Sequence, residues 1–500
     1  MAYSLEVSFV LRDDDTSFLQ GISDVETYTQ QGITYLIAAS EADSAVTVFS
    51  LANIGDPQAV SVIEYSDNSG TLVVSDVTII GVDATMQVLA LGRYDNNIGI
   101  YDVAADGSLS FDAALADGTS VYERGWVGET ATIGSRTFVY TASFGVRGIN
   151  FFEVAADGSL QFMRVYEGFA DDKILDVSEA KHFTLHDTEM LAVANTHDDS
   201  VLLYRIRGDG RLRLQDRFSD DDEGGLSAIT ALGSAQADAR GFMLVANAMA
   251  DSISVLRVSA HGVFKLVDTF YDTRDTRFGG VTAMEVVEHN GRVFVFAGGA
   301  DDGITVLELN YRGQLSLLAT IADQFETTLQ NVSSIDVRMI GDVAHIIVGS
   351  QTDHGITELT VDLTRTGQDI RGGTGNDFLV GTNGDDVIWG MGHNDVLSGG
   401  AGDDHLIDGR GNDILFGGSG ADVFVFTPDG KSDFIEDFEV GIDRIDLSGW
   451  DHLYHIADIT IETRIGGAVI FVGEDIIRIS AEDNTAIDST LFTQDTFIFG

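Results

Sequence analysis

The chain has 500 residues, 44% of them hydrophobic, which is enough for more than one domain with a packed core and excludes wholesale disorder. Its formal net charge is −52, from 80 acidic and 28 basic residues, so phosphate backbones repel it and we expect no nucleic-acid partner. The lack of cysteine excludes disulfides and thiolate metal sites. No uncharged run approaches the roughly 18 residues that span a bilayer, so we expect no membrane span.

The first 365 residues repeat at long period. Each unit has an apolar run, a short polar turn, a second apolar run and a turn that often contains glycine. Runs rich in Val, Ile and Phe between turn residues predict hairpins, and a further short strand precedes each hairpin. The first residue of the second run recurs at intervals of 51 or 52 residues: Val46, Ile98, Ile149, Val201, Ile253, Ile304 and Ile356.

Four strands in each of seven units predict a seven-bladed β-propeller over residues 1–365. The last unit lacks an outer strand, and Leu5–Leu11 is predicted to supply it and so close the ring. The alternative is a parallel solenoid, whose period would be shorter.

Two units, Leu191–Leu212 and Leu244–Phe264, resemble the seven-bladed propellers of the lactonase family (YVTN type) and their surface-layer relatives. The resemblance covers most of residues 20–363. It implies a fold and no particular reaction, because propellers host hydrolases, lyases, isomerases and binding modules.

Acidic residues mark two candidate sites on the predicted propeller. The innermost strands would line a central channel with carboxylates that either hold Ca²⁺ or face a water-filled tunnel. These residues are Asp24, Asp76, Glu129 and Glu179. Aspartates in the turns between the middle strands form either a cation-binding rim or ordinary turns, and they are Asp43, Asp95, Asp198, Asp301 and Asp353.

The sequence leaves any catalytic residues unknown. It contains neither a His-Glu-x-x-His zinc motif nor a Gly-x-Ser-x-Gly nucleophile elbow. His197, beside one of the rim aspartates, is the one histidine selected for testing.

Six nine-residue repeats run back to back from Gly372 to Val425: GGTGNDFLV, GTNGDDVIW, GMGHNDVLS, GGAGDDHLI, DGRGNDILF and GGSGADVFV. The sixth residue is always Asp and the eighth is always apolar. This pattern resembles the calcium-binding nonapeptide of the RTX (repeats-in-toxin) family. The glycines allow tight turns whose carbonyls point inward, and a short strand then places the eighth residue toward a core. Two nonapeptides complete one coil, so turns 18 residues apart stack into a right-handed parallel β-roll.

A cage of hard oxygen donors between stacked turns suits Ca²⁺ better than Mg²⁺, so calcium is the predicted cofactor. The resemblance implies that the carbonyls at positions two and four and the carboxylate at position six are the ligands. Met391 and His393 replace glycines in the third repeat, which weakens the prediction for the cage that uses Asp395. The predicted metal ligands are Gly373, Gly375, Asp377, Gly384, Asp386, Asp395, Gly400, Gly402, Asp404, Gly409, Gly411, Asp413, Gly418, Gly420 and Asp422.

Residues 426–500 resemble the cap and export segment of serralysin-type secreted proteins. The final Asp495–Gly500 resembles the uncleaved signal that a type I exporter of Gram-negative bacteria reads, and the first residues show no cleavable secretory signal. We therefore predict an all-β chain in three segments: a propeller at 1–365, a calcium-binding roll at 366–425, and a cap with an export signal at 426–500.

The favoured hypothesis is a secreted, extracellular calcium-binding protein whose roll folds on calcium. Its propeller would recognise an extracellular ligand such as a polysaccharide or a surface protein, or serve as an adhesion or surface-layer component. The alternative is a secreted propeller hydrolase of lactonase or phosphoesterase type with a metal in the central channel. A metal held by the channel carboxylates would favour the enzyme, whereas an empty channel would favour binding.

Overall fold

The structure is a computed structural model whose chain divides into two compact units. One unit comprises Met1–His289 and Val293–Asp362, and the other comprises Asn290–Arg292 and Leu363–Gly500. We keep the finer boundaries at residues 365 and 425 as a proposal. The structure describes residues 3–14, 17–52, 55–64, 73–82, 85–92, 98–115, 125–143, 148–166, 168–169, 172–174, 176–219, 225–237, 240–364, 366–450, 453–480 and 486–499.

Within these ranges, the first unit contains seven four-stranded sheets built from antiparallel hairpins, which confirms the predicted seven-bladed propeller. Successive strands in the chain are neighbours in each blade, so each blade starts at the innermost strand and ends at the outermost one. The middle strands are the most buried, as in β17, where six consecutive residues are inaccessible to solvent.

The strands of the first four blades are as follows. Blade one has β2 (Ile22–Gln30), β3 (Ile33–Ser40), β4 (Ala45–Ser50) and β5 (Gln58–Glu64). Blade two has β6 (Val74–Val82), β7 (Thr85–Gly92), β8 (Ile98–Val103) and β9 (Leu109–Leu115). Blade three has β10 (Gly125–Ile133), β11 (Arg136–Ser143), β12 (Ile149–Val154) and β13 (Leu160–Tyr166), and a small hairpin of β14 (Gly168–Phe169) and β15 (Asp172–Lys173) follows it. Blade four has β16 (Val177–Leu185), β17 (Thr188–Asn195), β18 (Ser200–Ile206) and β19 (Leu212–Ser219).

Three blades complete the ring. Blade five has β20 (Ile229–Ala237), β21 (Arg240–Asn247), β22 (Ser252–Val258) and β23 (Phe264–Tyr271), with a 3₁₀ turn at Ala248–Ala250. Blade six has β24 (Val281–His289), β25 (Arg292–Gly299), β26 (Gly303–Leu309) and β27 (Leu315–Ala322). Blade seven has β28 (Val332–Ile340), β29 (Val343–Ser350), β30 (Gly355–Asp362) and β1 (Leu5–Arg12).

The N-terminal strand β1 closes the ring, as predicted. It pairs antiparallel with β30, with Leu5 opposite Val361 and Leu11 opposite Ile356. Phe9 on this strand is 7% exposed and packs with Ile356 in a cluster that joins blades seven and one. Both ends of the propeller sequence therefore share one sheet.

The second unit is a parallel β-solenoid of about four turns at residues 369–446, which confirms the predicted parallel roll. One of its sheets has the parallel order β31 (Thr366–Arg371), β33 (Asp385–Trp389), β35 (His405–Ile407), β37 (Val423–Val425), β39 (Arg444–Asp446) and β43 (Phe497–Ile498). The other runs β32 (Phe378–Val380), β34 (Val396–Ala401), β36 (Ile414–Ser419), β38 (Ser432–Ile435) and β42 (Asp475–Ser480), and then continues antiparallel with β41 (Gly467–Val472) and β40 (Thr460–Arg464). Short 3₁₀ turns lie at Ile456–Asp458, Ser489–Leu491 and Gln494–Thr496.

The eighth residues of the repeats form the core of the roll. Ile388, Leu397, Leu406, Leu415 and Phe424 are all 0% exposed, and strand partners lie 18 residues apart. Leu379 in the first repeat is only partly buried, because it lies at the open end of the stack. At the other end the cap continues the core through the aromatic contacts of Phe424, Phe438, Phe492 and Phe497.

Within the described ranges, the structure contains no helix with the length and hydropathy needed to cross a membrane.

Candidate functional site

The turns of the roll stack backbone directly on backbone. A Cβ atom built at Gly420 would lie 2.0 Å from the carbonyl oxygen of Gly402, and one built at Gly418 would lie 2.0 Å from that of Gly400. The glycines at positions two and four in this part of the roll also have positive φ, +100° at Gly418 and +139° at Gly420. Because no side chain fits there, each coil presents its carbonyl oxygens against the next coil 18 residues on.

The third repeat keeps this turn even though it lacks the two glycines. Met391 and His393 have φ of 73° and 74°, in the left-handed region that side chains other than glycine rarely adopt. Their carbonyl oxygens lie against Gly409 and Gly411 of the next coil, as in the neighbouring repeats. The departure that weakened the prediction for Asp395 therefore changes the side chains at the turn and not its backbone path, at a strain of roughly 1–3 kcal/mol for each residue.

The aspartates at position six form two ladders along the stacked turns. In each step a backbone N–H donates to the Oδ1 atom of the aspartate one coil further on. In one ladder Asp386 donates to Asp404 at 2.7 Å, and Asp404 donates to Asp422 at 2.8 Å. In the other ladder the steps are Asp377 to Asp395 at 2.8 Å and Asp395 to Asp413 at 2.7 Å.

In the last four repeats, the second carboxylate oxygen of this aspartate is buried without a partner, whereas Oδ2 of Asp377 and Asp386 accepts the N–H of Gly373 and Thr382. Within the described residues, the Oδ2 atoms of Asp395, Asp404, Asp413 and Asp422 are inaccessible and accept no hydrogen bond. The four side chains are at most 1% exposed. A buried anionic oxygen without a donor is costly, and hard carboxylate and carbonyl oxygens are the ligands that Ca²⁺ prefers. The donor set therefore fits calcium, with Oδ1 held by the backbone and Oδ2 left for a metal ion.

Burial makes the charged form of these carboxyl groups unfavourable. It raises the pKa of Asp404 and Asp422 to about 7 and that of Asp413 to about 6, with neighbouring aspartates adding to the increase. The backbone hydrogen bond to each Oδ1 opposes the shift without cancelling it. A bound dication would reverse this balance by stabilising the ionised carboxylates.

Both ladders continue beyond the repeats, through residues that the analysis of nonapeptides missed. Asp413 N–H donates to Asp433 Oδ1 at 3.0 Å, and Asp422 N–H donates to Asp443 Oδ1 at 3.0 Å. The steps are 20 and 21 residues instead of 18. In the sequence, each of these aspartates lies two residues before an isoleucine, just as the sixth residue of a repeat lies two before the apolar eighth. Ile435 and Ile445 are both 0% exposed.

On the propeller, the predicted channel carboxylates join neighbouring blades. Asp24 Oδ2 accepts the Val77 N–H at 3.0 Å, Asp76 Oδ2 accepts the Gly128 N–H at 2.8 Å, and Glu129 Oε1 accepts the His182 N–H at 2.8 Å. In each pair the donor belongs to the innermost strand of the next blade. These side chains therefore hold the ring together as well as lining the channel. Glu179 instead accepts the N–H of Ala180 beside it, at 2.9 Å.

The innermost strands of all seven blades line a cavity of about 650 Å³. Among its described lining residues, eight are acidic and one, Lys181, is basic, with its Nζ 3.5 Å from Glu285 Oε2. Glu26 Oε2 and Asp336 Oδ2 are buried there without a hydrogen-bond partner. Burial raises the pKa of Glu179 to about 8 and that of Glu129 to about 7, against the opposing field of Lys181. The cavity is thus lined mainly by carboxyl groups, whose charged form burial makes unfavourable.

The rim aspartates that the structure describes take part in turn hydrogen bonds. Asp43 Oδ2 accepts the Gln20 N–H at 2.7 Å, and Asp198 Oδ1 accepts from Ser200 Oγ at 2.6 Å. Asp353 accepts the N–H of Gln330 at 3.4 Å. Asp301 lies 3.5 Å from the guanidinium of Arg277, and His197 is exposed on the turn after β17. Asp95 lies outside the described residues.

The profile of the RTX calcium-binding nonapeptide repeat, four copies long, matches residues 371–406 and 398–426. Residues 371–426 are RTX calcium-binding repeats. No curated protein matches the chain.

The solved structures that match the chain include the following three. A putative 6-phosphogluconolactonase from Bacteroides fragilis is 14% identical, with a TM-score of 0.45, over 62% of this chain and 85% of its own. The periplasmic gluconolactonase PpgL of Pseudomonas aeruginosa is 16% identical, with a TM-score of 0.46, over 67% and 88%. BBS1N, crystallised in complex with ARL6DN, is 13% identical, with a TM-score of 0.47, over 72% and 99%.

We expect a lower pH to favour folding of the RTX roll when calcium is absent. The folded pKa of Asp404, about 7, lies above the value of about 3.9 in an unfolded chain. A carboxyl group whose pKa is raised in the folded state stabilises the fold while it is protonated. This stabilisation is complete below the unfolded pKa and is lost as the pH rises through the folded pKa. In the presence of a chelator, lowering the pH from about 8 to about 5.5 should therefore increase the strand signal in circular dichroism.

The same titration in saturating calcium is the control, and it should show no such gain, because the carboxylates are then stabilised in their charged form. A chelated protein whose strand signal stays constant or falls over this pH range would contradict the prediction.

Proposed function

We propose that this chain is a secreted calcium-binding protein whose RTX roll folds when calcium binds, and whose propeller then presents a ligand-binding channel outside the cell. The observation that carries the calcium proposal is the set of four buried, unpartnered Oδ2 atoms at Asp395, Asp404, Asp413 and Asp422. Burial raises their pKa values, so the ionised form of these groups is unfavourable in the metal-free roll, and a cation between the turns would stabilise it at neutral pH.

The same arrangement accounts for export in an unfolded form. With little calcium in the cytosol, repulsion between the aspartates keeps the roll unfolded, as passage through a type I exporter requires. Outside the cell, calcium at 100 times the dissociation constant stabilises the folded roll by about 2.7 kcal/mol for each site. Extracellular calcium modules bind with dissociation constants of roughly 10⁻⁴–10⁻³ M.

Tryptophan fluorescence tests the calcium-driven folding on the full chain. The chain has three tryptophans, of which Trp389 is 8% exposed in the roll and Trp450 packs against its core. In a Trp126→Phe variant both remaining tryptophans report on the roll. Adding calcium to the chelated protein should shift their emission to shorter wavelength, because Trp389 becomes buried and Trp450 partly buried.

Magnesium at the same concentration is the matched control and should give a much smaller shift, since Mg²⁺ fits octahedral sites and keeps several waters. Emission that does not change with calcium, or that changes equally with magnesium, would contradict the proposal.

The propeller proposal is supported by the charge of its channel. A cavity of about 650 Å³ that is lined by eight acidic residues and contains the unpartnered Glu26 Oε2 and Asp336 Oδ2 is complementary to a ligand carrying several positive charges, because such a ligand would stabilise the ionised carboxylates. An amine-bearing polysaccharide or a basic segment of a surface protein has this chemistry. Binding of this kind would make the propeller a recognition or adhesion module.

The alternative function is a hydrolase of lactonase or phosphoesterase type with a channel metal. It requires several of Asp24, Asp76, Glu129 and Glu179 to hold one ion. Within the described residues, no three channel carboxylates come close enough to share an ion. The geometry therefore favours binding over hydrolysis.

The polyamine spermine is a suitable probe for the channel. Calorimetric titration of the calcium-loaded protein should give binding that a Glu26→Gln, Asp336→Asn double variant weakens by about tenfold, because two anionic partners are removed. The matched control is Glu64→Gln, which removes an exposed charge from the outer strand of blade one. Equal weakening in the control, or unchanged affinity in the double variant, would show that spermine does not bind in the channel.

A further inference from the structure

The fifth repeat begins with an aspartate where the other five begin with glycine. In the repeats before and after it, a Cβ atom at this first position would face the carboxylate at position six. One built at Gly399 would lie 2.1 Å from Asp404 Oδ2, and one built at Gly417 would lie 2.2 Å from Asp422 Oδ2. Position one therefore borders the unpartnered oxygen of its own repeat, and the fifth repeat places Asp408 at this position.

Asp408 joins two other buried carboxylates. Asp408, Asp413 and Asp433 are 2%, 0% and 3% exposed, and one carboxylate oxygen from each lies within 4.8 Å of the other two. Within the part of the chain that the structure describes, this is the one group of three His, Cys, Asp or Glu side chains with such spacing. Two oxygens on opposite sides of a calcium ion at about 2.4 Å are separated by a similar distance.

Backbone donors orient the three carboxylates. Asp408 Oδ1 accepts N–H groups from Gly409 and Thr427, the latter at 3.0 Å. Asp413 Oδ1 accepts from the coil before at 2.7 Å, and Asp433 Oδ1 accepts the N–H of Asp413 at 3.0 Å. Asp413 Oδ2, by contrast, is buried and accepts no hydrogen bond. This oxygen has no donor within the protein and is available to coordinate a metal ion.

We infer that Asp408, Asp413 and Asp433 form a three-carboxylate calcium site that binds more tightly than the sites between ordinary repeats. Calcium affinity rises with the number of charged ligands and with the rigidity of the site. Here the Asp408 carboxylate supplements those of Asp413 and Asp433, which are successive steps of one aspartate ladder. Mg²⁺ is a poor fit, because its shorter bonds of about 2.0–2.1 Å would require the group to contract.

The site also connects the repeats to the loop that follows them. Asp408 belongs to the fifth repeat, whereas Thr427 and Asp433 lie at the two ends of the first cap loop. The same loop donates N–H groups from Asp429 and Gly430 to Asp475 Oδ1, at 3.1 and 2.6 Å. An ion at the three-carboxylate site therefore fixes the cap loop on the last coils of the roll.

This inference rests on the proposal that the roll binds calcium, and Asp408→Asn tests it separately. The amide oxygen of this variant still accepts the Gly409 and Thr427 N–H groups, so the turn keeps its hydrogen bonds while one charge is lost. The matched control is Asp403→Asn, which removes a charge from the fourth repeat and retains the oxygen that accepts the Ala421 N–H at 2.9 Å. Asp408→Gly, which restores the glycine of the other repeats, is a second variant that places no new side chain at the turn.

The measurement is a calcium titration of the full chain in competition with a chromophoric chelator. The wild-type protein and the Asp403→Asn variant should each show one ion bound about tenfold or more tightly than the others, and in both Asp408 variants this ion should bind no more tightly than the others, whose affinity should be unchanged. Unchanged titration of the Asp408 variants, or loss of all ions together, would overturn the three-carboxylate site. A wild-type chain that binds no calcium would instead overturn the proposed function itself.

Discussion

Repulsion and desolvation of stacked carboxylates determine the behaviour of the C-terminal unit. Each of the last four repeats buries an aspartate whose Oδ1 atom accepts a backbone N–H from the coil before, while Oδ2 receives nothing from the protein. In most buried polar networks every oxygen has a donor, and the network then stabilises the fold on its own. Here half of each of these carboxylates has no donor, and under the proposed function a cation between the turns takes that place.

The glycine turns and the apolar eighth residues follow from the same constraint. The carbonyl columns at positions two and four need backbone contact that a Cβ atom would prevent, as at Gly420 against Gly402. Several of the strands are only three residues long, so each nine-residue repeat buries little more than one large apolar side chain, such as Leu406. A core this thin does not by itself offset the loss of chain entropy, so the proposed function makes the ion part of the core.

The sequence was most informative where the spacing is regular. The 51- or 52-residue period predicts the blades, and even the closing strand, because each blade must contribute the same four strands to a closed ring. The nine-residue period predicts the coils in the same way. Asp433 and Asp443 were missed because the ladder leaves the 18-residue step where the cap begins, although the spatial step along the roll is retained.

The hydrogen bonds by which the channel carboxylates join neighbouring blades could not be predicted from the sequence either. Asp24, Asp76 and Glu129 bond to backbone atoms about 50 residues away, on a neighbouring blade whose rotation around the ring is set by packing. Asp408 appears in the sequence as an imperfect glycine position, and only the folded loop shows that Asp433 reaches it. For Met391 and His393 the error was the opposite one. Their side chains weakened the prediction of a calcium cage, but their backbone follows the same path as the glycines of other repeats.

The most direct measurement of the central claim is a crystal structure of the full chain grown in calcium chloride, with anomalous data to locate the ions. The account predicts ions between stacked turns, at about 2.3–2.6 Å from the Oδ2 atoms of Asp395, Asp404, Asp413 and Asp422. It would be contradicted if those oxygens were bonded to protein donors or to water, with no calcium peak beside them.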